Sequence, residues 1–200
     1  MKLILTRHGE TVENKEGILQ GWLPGKLTEE GIKQSKLAAQ RLKDVKIDII
    51  YTSDLKRCVD TANEIKKFHK NSKFIKEKAL RERNLGIFTG KNKNEVNWDE
   101  NRTNYNKIAF VLENGESFLI MEKRIIKFFK TVLKNHNKET VLIVCHGGTL
   151  RILEGFLTRK NLKEALQQNA HYNTAISEFE IDKRENCKII CLNCNKHLIN

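Results

Sequence analysis

The chain has 200 residues and a formal net charge of +12, from 37 lysines and arginines against 25 aspartates and glutamates. This length suits one domain with a sizeable core, so we predict a single domain over residues 1–200. No apolar stretch reaches the length of a membrane span and the N-terminus lacks a signal-peptide pattern, so we expect no membrane partner and a cytoplasmic location. Five cysteines, an odd number, argue against a disulfide framework.

The positive charge is scattered along the chain. No block of lysine and arginine with interleaved aromatic residues marks a nucleic-acid surface, so no specific nucleic-acid partner is expected. A basic surface steers anionic substrates towards a protein. We therefore interpret the charge mainly as background that helps a phosphate-seeking site.

Hydrophobic periodicity and capping residues predict alternating strands and helices. In chain order the pattern predicts a strand over 3–6, a loop over 10–26, a helix from the Thr28 cap to residue 42, a strand over 47–51, a helix from a cap within 52–54 to residue 65, a strand over 73–80, a long helix over 117–134, a strand over 140–145, a helix over 149–157, and a hairpin of strands at 175–181 and 188–192. This alternation indicates the α/β class, as a three-layer α/β/α sandwich with a mostly parallel central sheet and helices on both faces.

Residues 89–112 are the least informative part of the sequence. They are polar and rich in asparagine and lysine, with Trp98, Tyr105 and Phe110 spaced through them. A lid over the site, a partly helical segment and an ordinary excursion from the sheet all fit this composition.

Two predicted strands deliver a histidine and a glycine to their carboxyl ends. The run over 3–6 is followed by Arg7-His8-Gly9, and the run over 140–145 is followed by His146-Gly147-Gly148. Ligands of α/β sheets bind beyond the carboxyl ends of the strands. We therefore expect both histidines to belong to one site.

At these residues the chain resembles the histidine phosphatase superfamily, the phosphoglycerate mutase-like proteins. The matching blocks follow the order of that family: Arg7-His8-Gly9-Glu10-Thr11 with Asn14, Ser53-Asp54-Leu55-Lys56-Arg57 with Thr61-Ala62, Glu82 with Gly86, Gly115-Glu116-Ser117, His146-Gly147-Gly148, Asn173-Thr174, Asn193, and His197-Leu198. The resemblance covers nearly the whole chain and favours the phosphatase branch of the family, with the phosphoglycerate mutase-like fold.

The resemblance implies a role for each of five residues. His8 takes the position of the nucleophile, which becomes a phosphohistidine, and Glu82 takes that of the general acid. Arg7, Arg57 and His146 take the positions of the phosphate pocket. The chemistry suits these residue types, because a guanidinium fork matches phosphate oxygens and a neutral imidazole is nucleophilic near neutral pH. No metal or other cofactor is implied.

Further substrate contacts are predicted in the loops around the two histidines. The complete predicted substrate-binding set is Arg7, Asn14, Gln20, Gly21, Arg57, Glu82, His146, Gly147, Asn173 and Thr174.

The sequence departs from the family in three places. Pro24 and Lys26 interrupt a segment in which relatives often carry an aspartate and a proline, and Cys58 stands where alanine is common. A third departure, the cysteines and histidine at 187, 191, 194 and 197, has metal-like spacing. Because the first two of these cysteines fall on a strand pattern and the end of the chain matches the family, we expect no zinc site there.

Three functions remain open at this stage. The first is a phosphatase that hydrolyses small phosphate monoesters, and the second is a cofactor-dependent phosphoglycerate mutase, an isomerase. Only residues 83–145 separate Glu82 from His146, too few for the long insertion of dedicated mutases, which favours the phosphatase. The third is a non-catalytic phosphate-binding module, which the presence of the nucleophile and the acid disfavours. The sequence does not name the substrate, and it is compatible with a monomer or a homodimer.

Overall fold

A computed structural model describes residues 1–96 and 108–199 of the chain. The strands are β1 (Lys2–Arg7), β2 (Ile49–Ser53), β3 (Lys73–Glu77), β4 (Thr140–Cys145), β5 (Ile176–Ile181) and β6 (Cys187–Cys194). The α-helices are α1 (Val12–Glu16), α2 (Glu29–Leu42), α3 (Lys56–Lys66), α4 (Phe118–Asn135), α5 (Gly147–Leu157) and α6 (Leu162–Leu166). Short 3₁₀ turns cover Lys78–Leu80, Gly86–Phe88 and Lys196–Leu198.

The strands of the described residues form one sheet in the order β3-β2-β4-β1-β5-β6. The first four are mutually parallel, whereas β5 runs antiparallel to both β1 and β6. The predicted mostly parallel sheet is therefore confirmed, with β1 and β4 side by side at its centre. Their register pairs Arg7 with Cys145, so the residues that follow the two strands emerge next to each other.

Side chains of the central strands alternate between two hydrophobic cores, as the two-residue period of a strand requires. Leu3 and Leu5 face the core covered by α4 and α5, and Ile4 faces the core covered by α2 and α3. The three-layer α/β/α sandwich is confirmed. None of the described helices is long and apolar enough to cross a membrane.

The boundaries of several elements differ from the prediction. Helices α1 and α6 were not predicted, because five residues are too few for a helical period to show. Strand β2 begins at Ile49 rather than at residue 47, and β3 ends at Glu77, where the chain turns into a 3₁₀ segment. Helix α5 begins at Gly147, directly after the N-cap residue His146.

The predicted cap of α3 was wrong for a reason that concerns the site. The N-cap is Leu55, which forms no side-chain capping bond. The polar side chains before it have other partners: Ser53 contacts His146 at 2.9 Å, and Asp54 forms an ion pair with Arg81 at 2.6 Å.

The segment over 89–112 is described only in part. Trp98 and Tyr105 lie outside the described residues, and the three interpretations of residues 89–112 fall partly outside them as well. Residues 89–93 run beside residues 17–19, with the amide nitrogen of Leu19 donating to the carbonyl of Lys91 at 2.9 Å. A small apolar cluster of Leu19, Leu85, Phe88, Val96 and Leu112 packs beneath them.

Candidate active site

The ends of β1 and β4 bring the two predicted histidines together. The amide nitrogen of His8 donates to the carbonyl of Cys145 at 3.1 Å, which continues the parallel ladder by one residue. The rings of His8 and His146 then lie edge to face with centroids 5.3 Å apart. The adjacency predicted from the sequence follows from this register.

The imidazole of His8 is fixed in one tautomer. Its Nδ1 atom lies 2.8 Å from the carbonyl oxygen of Gly9, and because a carbonyl only accepts, Nδ1 carries the hydrogen and Nε2 is left with a free lone pair. Gly9 allows this turn because a Cβ atom would lie 2.4 Å from the carbonyl oxygen of Gly31 on α2. Burial, with the charges of Arg57 and Arg7, holds the pKa of His8 well below its ordinary value, so the ring is neutral at physiological pH.

His146 lies behind His8 and is equally buried, with 1% of its surface exposed. The Nε atom of Arg57 donates to its Nδ1 at 3.2 Å, and its Nε2 lies 2.9 Å from Ser53 Oγ. Burial and the charge of Arg57 lower the pKa of His146 well below its usual value. The residue therefore contacts the phosphate-site arginine directly.

Two arginines provide the positive charge of the site. Arg57, in the first turn of α3, is held by the carbonyls of Gly21 and Leu23, which fixes its guanidinium against the loop over 17–28. Arg7 donates from Nη1 to the carbonyl of His171 at 2.7 Å, while its buried Nε has no hydrogen-bond partner among the described residues. Burial lowers the pKa of both guanidiniums, which remain cationic as arginine does in proteins. The Nε–H group of Arg7 is therefore available to bind an anion.

Glu82 lies at the mouth of the site between two loops. Its Oε2 accepts from the amide nitrogen of Gly148 at 3.0 Å, and its Oε1 accepts from that of Arg83 at 2.9 Å. Gly148 is required for this approach, since a Cβ atom there would lie 2.4 Å from Glu82 Oε1. The backbone carbonyl of Glu82 accepts from Trp22 Nε1 at 2.8 Å and from Arg124 Nη2 at 2.9 Å.

Arg124 on α4 fixes the segment that carries Glu82. Besides that carbonyl, it donates to the carbonyls of Ala79 and Arg81, each at 2.8 Å. It also forms a two-pronged ion pair with Glu116, at 2.6 and 3.1 Å. A planar, fully hydrogen-bonded guanidinium of this kind gives the Glu82 segment a defined position.

These groups surround a cavity of about 260 Å³. Seven predicted residues line it: Arg7, His8, Asn14, Gln20, Gly21, Arg57 and Glu82. Four predicted substrate contacts do not: His146, Gly147, Asn173 and Thr174. Of the two glycines after β4, Gly148 lines the cavity and Gly147 does not. Gly147 lies beside Arg7, because a Cβ atom added to it would lie 3.9 Å from Arg7 Nε.

Asn173 and Thr174 bind the backbone of the turn that follows β1. Asn173 Nδ2 donates to the carbonyl of His8 at 2.9 Å, and the amide nitrogen of Thr174 donates to the carbonyl of Arg7 at 3.1 Å. Asn14 joins the same network, because its Oδ1 lies 3.4 Å from Asn173 Nδ2 and also caps α1 together with Thr11. Asn173 and Thr174 therefore contact the backbone of Arg7 and His8, and Asn14 contacts Asn173.

Several residues of the site were not predicted from the sequence. Arg151, Arg83 and Phe118 line the cavity, and His171, which matched no catalytic motif, supplies the carbonyl that binds Arg7. The side chain of His171 is buried against Glu154 at 2.9 Å. Among the cavity residues that were not predicted, only Gly148 belongs to a motif that the sequence shows, the His-Gly-Gly motif.

The cysteines and histidine at the end of the chain, at 187, 191, 194 and 197, do not line this cavity. Arg41 Nη1 contacts both Cys194 Sγ at 3.3 Å and His197 Nδ1 at 3.2 Å. In the described parts of the chain, no three side chains of histidine, cysteine, aspartate or glutamate are grouped so as to hold a metal ion.

A profile of the histidine phosphatase superfamily (branch 1) matches residues 3–195, and the chain belongs to this family. Its sequence is 36% identical to a 2,3-bisphosphoglycerate-dependent phosphoglycerate mutase of Bartonella tribocorum over 176 residues, covering 83% of this chain and 85% of the relative. It is 34% identical to phosphoserine phosphatase 1 of Hydrogenobacter thermophilus, covering 99% and 94%. The solved structure of Bacillus stearothermophilus YhfR superimposes with a TM-score of 0.89 at 28% identity, over 98% of both chains.

Proposed function

We propose that this protein is a phosphatase that hydrolyses small phosphate monoesters through a phosphohistidine on His8. The observation that carries the proposal is the environment of His8: a neutral imidazole whose Nδ1 is bound to Gly9, beside two arginines and within the same cavity as Glu82. Phosphoryl transfer needs little more than an in-line nucleophile and cations around the phosphoryl oxygens. Membership of the superfamily supports phosphoryl transfer as the reaction class.

In the first step, His8 Nε2 forms a bond to phosphorus as the bond from phosphorus to the ester oxygen breaks. Arg7 and Arg57 bind the phosphoryl oxygens, with His146 completing the pocket through Arg57. Protonated Glu82 gives its proton to the departing alkoxide. In the second step, water attacks phosphorus, its proton passes to the Glu82 carboxylate, and the bonding pair returns to Nε2 with release of inorganic phosphate.

Rapid-quench experiments with ³²P-labelled substrate test this chemistry. We expect a labelled phosphoprotein that is stable in base and labile in acid, as a phosphohistidine is, and that is absent in His8→Ala. The matched control is His69→Ala, which removes a buried histidine outside the cavity. Label on a serine, or activity that survives in His8→Ala, would contradict the mechanism.

A phosphoglycerate mutase is the second candidate, because the Bartonella relative carries that name. That relative is matched over 85% of its own length, so the short spacing between Glu82 and His146 does not by itself separate the two activities. The phosphatase is favoured because the phosphoserine phosphatase matches 99% of this chain, against 83% for the mutase.

One incubation separates the two candidates. The protein is given 3-phosphoglycerate with catalytic 2,3-bisphosphoglycerate, and both inorganic phosphate and 2-phosphoglycerate are followed over time. A phosphatase releases phosphate in step with substrate loss. Conversion to 2-phosphoglycerate with little phosphate release would identify a mutase instead.

A further inference from the structure

Arg151 brings a further positive charge to the cavity, and the predicted chemistry does not use it. It lies on α5 one turn after Gly148, and both residues line the cavity. A helical side chain points back towards the N-terminus of its helix, so the Arg151 guanidinium lies over the first turn. That turn also contains the amide of Gly148, which binds Glu82.

Arg151 differs from the other arginines of the cavity in its partners. Arg57 is held by two carbonyls and His146, Arg7 by the carbonyl of His171, and Arg83 donates to the carbonyls of Glu116 and Phe110 while stacking 3.9 Å above Phe118. In the part of the chain that the structure describes, Arg151 forms no hydrogen bond and no ion pair, and its Nε is shielded from solvent. A buried N–H without an acceptor is unfavourable, which makes Arg151 a binding group in need of an anion.

The phosphoryl pocket itself does not account for this charge. Arg7 directly precedes the proposed nucleophile His8, and Arg57 binds His146, whose ring contacts that of His8, so both arginines belong to the phosphoryl pocket. Arg151 has no contact with either histidine among the described residues. It lines the cavity one turn after Gly148, whose amide binds Glu82, which is the side of the proposed acid.

We propose that Arg151 binds an oxyanion on the leaving group, and that the preferred substrates are short phosphate monoesters with a carboxylate or a second phosphate a few atoms from the ester oxygen. This inference rests on the proposed phosphatase function and deepens it. A guanidinium binds either oxyanion through paired N–H donors. The apolar wall of Ile18, Leu19, Leu85 and Phe118 suits the short carbon chain between the two anionic ends.

Two matched substrate pairs test the proposal through kcat/KM for phosphate release. 3-Phosphoglycerate and glycerol 3-phosphate share a three-carbon chain and a primary leaving oxygen, and differ by a carboxylate in place of a hydroxymethyl group. Propane-1,3-diol bisphosphate and propyl phosphate test a second phosphate in the same way. The proteins compared are the wild type, Arg151→Gln, Arg151→Lys and the control Lys160→Gln, which removes an exposed charge just beyond the same helix.

We expect the wild type to prefer, in at least one pair, the member that carries the additional carboxylate or phosphate. The pair that shows this preference identifies which of the two anions Arg151 binds. In Arg151→Gln, kcat/KM should fall roughly 10- to 100-fold for that member, which is the usual contribution of a hydrogen bond to a charged group. For the member without the additional anion, kcat/KM should fall less than threefold. Arg151→Lys should recover part of the loss, and Lys160→Gln should behave as the wild type.

A wild-type protein without preference in either pair overturns the inference, whatever the variants do. Equal losses on both members in Arg151→Gln overturn it as well, because they assign Arg151 to the phosphoryl group or to the fold. Absence of phosphate release and of phosphoprotein with every substrate, p-nitrophenyl phosphate included, overturns the phosphatase function itself. The two failures are therefore distinguishable.

Discussion

The Nε atom of Arg57 donates a hydrogen bond to Nδ1 of His146 across 3.2 Å. Because a guanidinium can only donate, Nδ1 carries no hydrogen, and the ring proton is on Nε2, which donates to Ser53 Oγ at 2.9 Å. The serine thus determines which tautomer of His146 faces Arg57. Residues from the ends of β2 and β4 and from the start of α3 form this chain.

The Ser53→Ala variant should weaken catalysis without removing any group that touches the phosphate. The change leaves the Nε2 hydrogen of His146 without its acceptor, so the tautomer with hydrogen on Nδ1 becomes accessible and repels Arg57. We expect about a five- to tenfold slower formation of the phosphoenzyme, the equivalent of one net hydrogen bond. Rapid-quench kinetics measure this rate.

Cys58→Ala is the matched control for Ser53→Ala. The sulfur atom of Cys58 also lies 3.4 Å from His146 Nε2. Burial raises the pKa of this thiol to about 12, so the thiol stays neutral. Replacement by alanine should leave the rate within twofold of the wild type. A loss in Cys58→Ala as large as that in Ser53→Ala would mean that packing around the ring, and not its tautomer, sets the rate.

Glu82→Gln should slow the enzyme in proportion to the basicity of the leaving group. A sugar phosphate expels a strongly basic alkoxide, whereas p-nitrophenyl phosphate expels a phenolate that is stable without a proton. General acid catalysis is worth roughly a hundred- to ten-thousand-fold in rate, so that loss is expected on the sugar phosphate and a much smaller one on p-nitrophenyl phosphate. The comparison must use single-turnover phosphorylation, since Glu82 also serves as the base for water attack.

Glutamine keeps the size of the side chain at position 82, but only its carbonyl oxygen can accept, so the variant loses one of the two bonds from the amides of Gly148 and Arg83. A loss from this structural cause is the same for both substrates. Equal losses on the two substrates would make Glu82 a structural residue, and the acid would then have to be sought elsewhere.

Folding stability should fall as the solution is acidified below pH 6.5. Burial is the main cause that lowers the pKa values of His8 and His146 well below 6.5, and it also lowers those of His69 and, to about 4, His197. These rings are neutral in the folded protein and take up protons on unfolding, so the free energy of the unfolded state falls relative to that of the folded state as the pH falls. Each contributes a slope of up to about 1.4 kcal/mol per pH unit between its two pKa values.

Urea unfolding at pH 7.5, 6.5 and 5.5 measures this dependence. His8→Asn should flatten the acidic slope by close to one proton, because asparagine does not titrate. A slope that is unchanged in His8→Asn would show that His8 is already protonated in the folded state.

Activity should survive exhaustive chelation. Arg7 and Arg57 line the cavity, and in the proposed mechanism they provide the positive charge that a divalent cation provides in metal-dependent phosphatases. We expect unchanged kcat after prolonged treatment with EDTA, with a zinc-dependent phosphatase losing activity in parallel, and inhibition by vanadate, which mimics five-coordinate phosphorus. A loss that Mg²⁺ or Zn²⁺ restores would contradict the proposed mechanism and direct attention to the cysteines of β6.

The sequence predicted the sheet and the centre of the site because both depend on local patterns. Continuous apolar runs, typical of buried strands, predicted β1 and β4, and the motifs after them predicted that His8 and His146 lie together, as they do. The capping residue Thr28 was also confirmed, since its side chain accepts a bond from the first turn of its helix.

The parts that were missed depend on long-range packing. Arg124 is one of several basic residues on α4, and only the folded chain shows that it, and not its neighbour Lys123, donates to the Glu82 segment. Arg151 likewise stands in an ordinary helical pattern, and its role follows from the cavity that other elements form around it. His171 acts through its backbone carbonyl, which no side-chain pattern records.

The position of β1 between β4 and β5 makes the site depend on pairing between distant parts of the chain. Strand β1 has its hydrogen-bonding partners in residues 140–145 and 176–181, so it has no neighbour in the sheet until those residues are available. Pairing over such sequence distances is slow compared with local helix formation. We therefore expect the contact between His8 and His146 to form late in folding, and a chain that ends before residue 140 lacks the strand that positions His146.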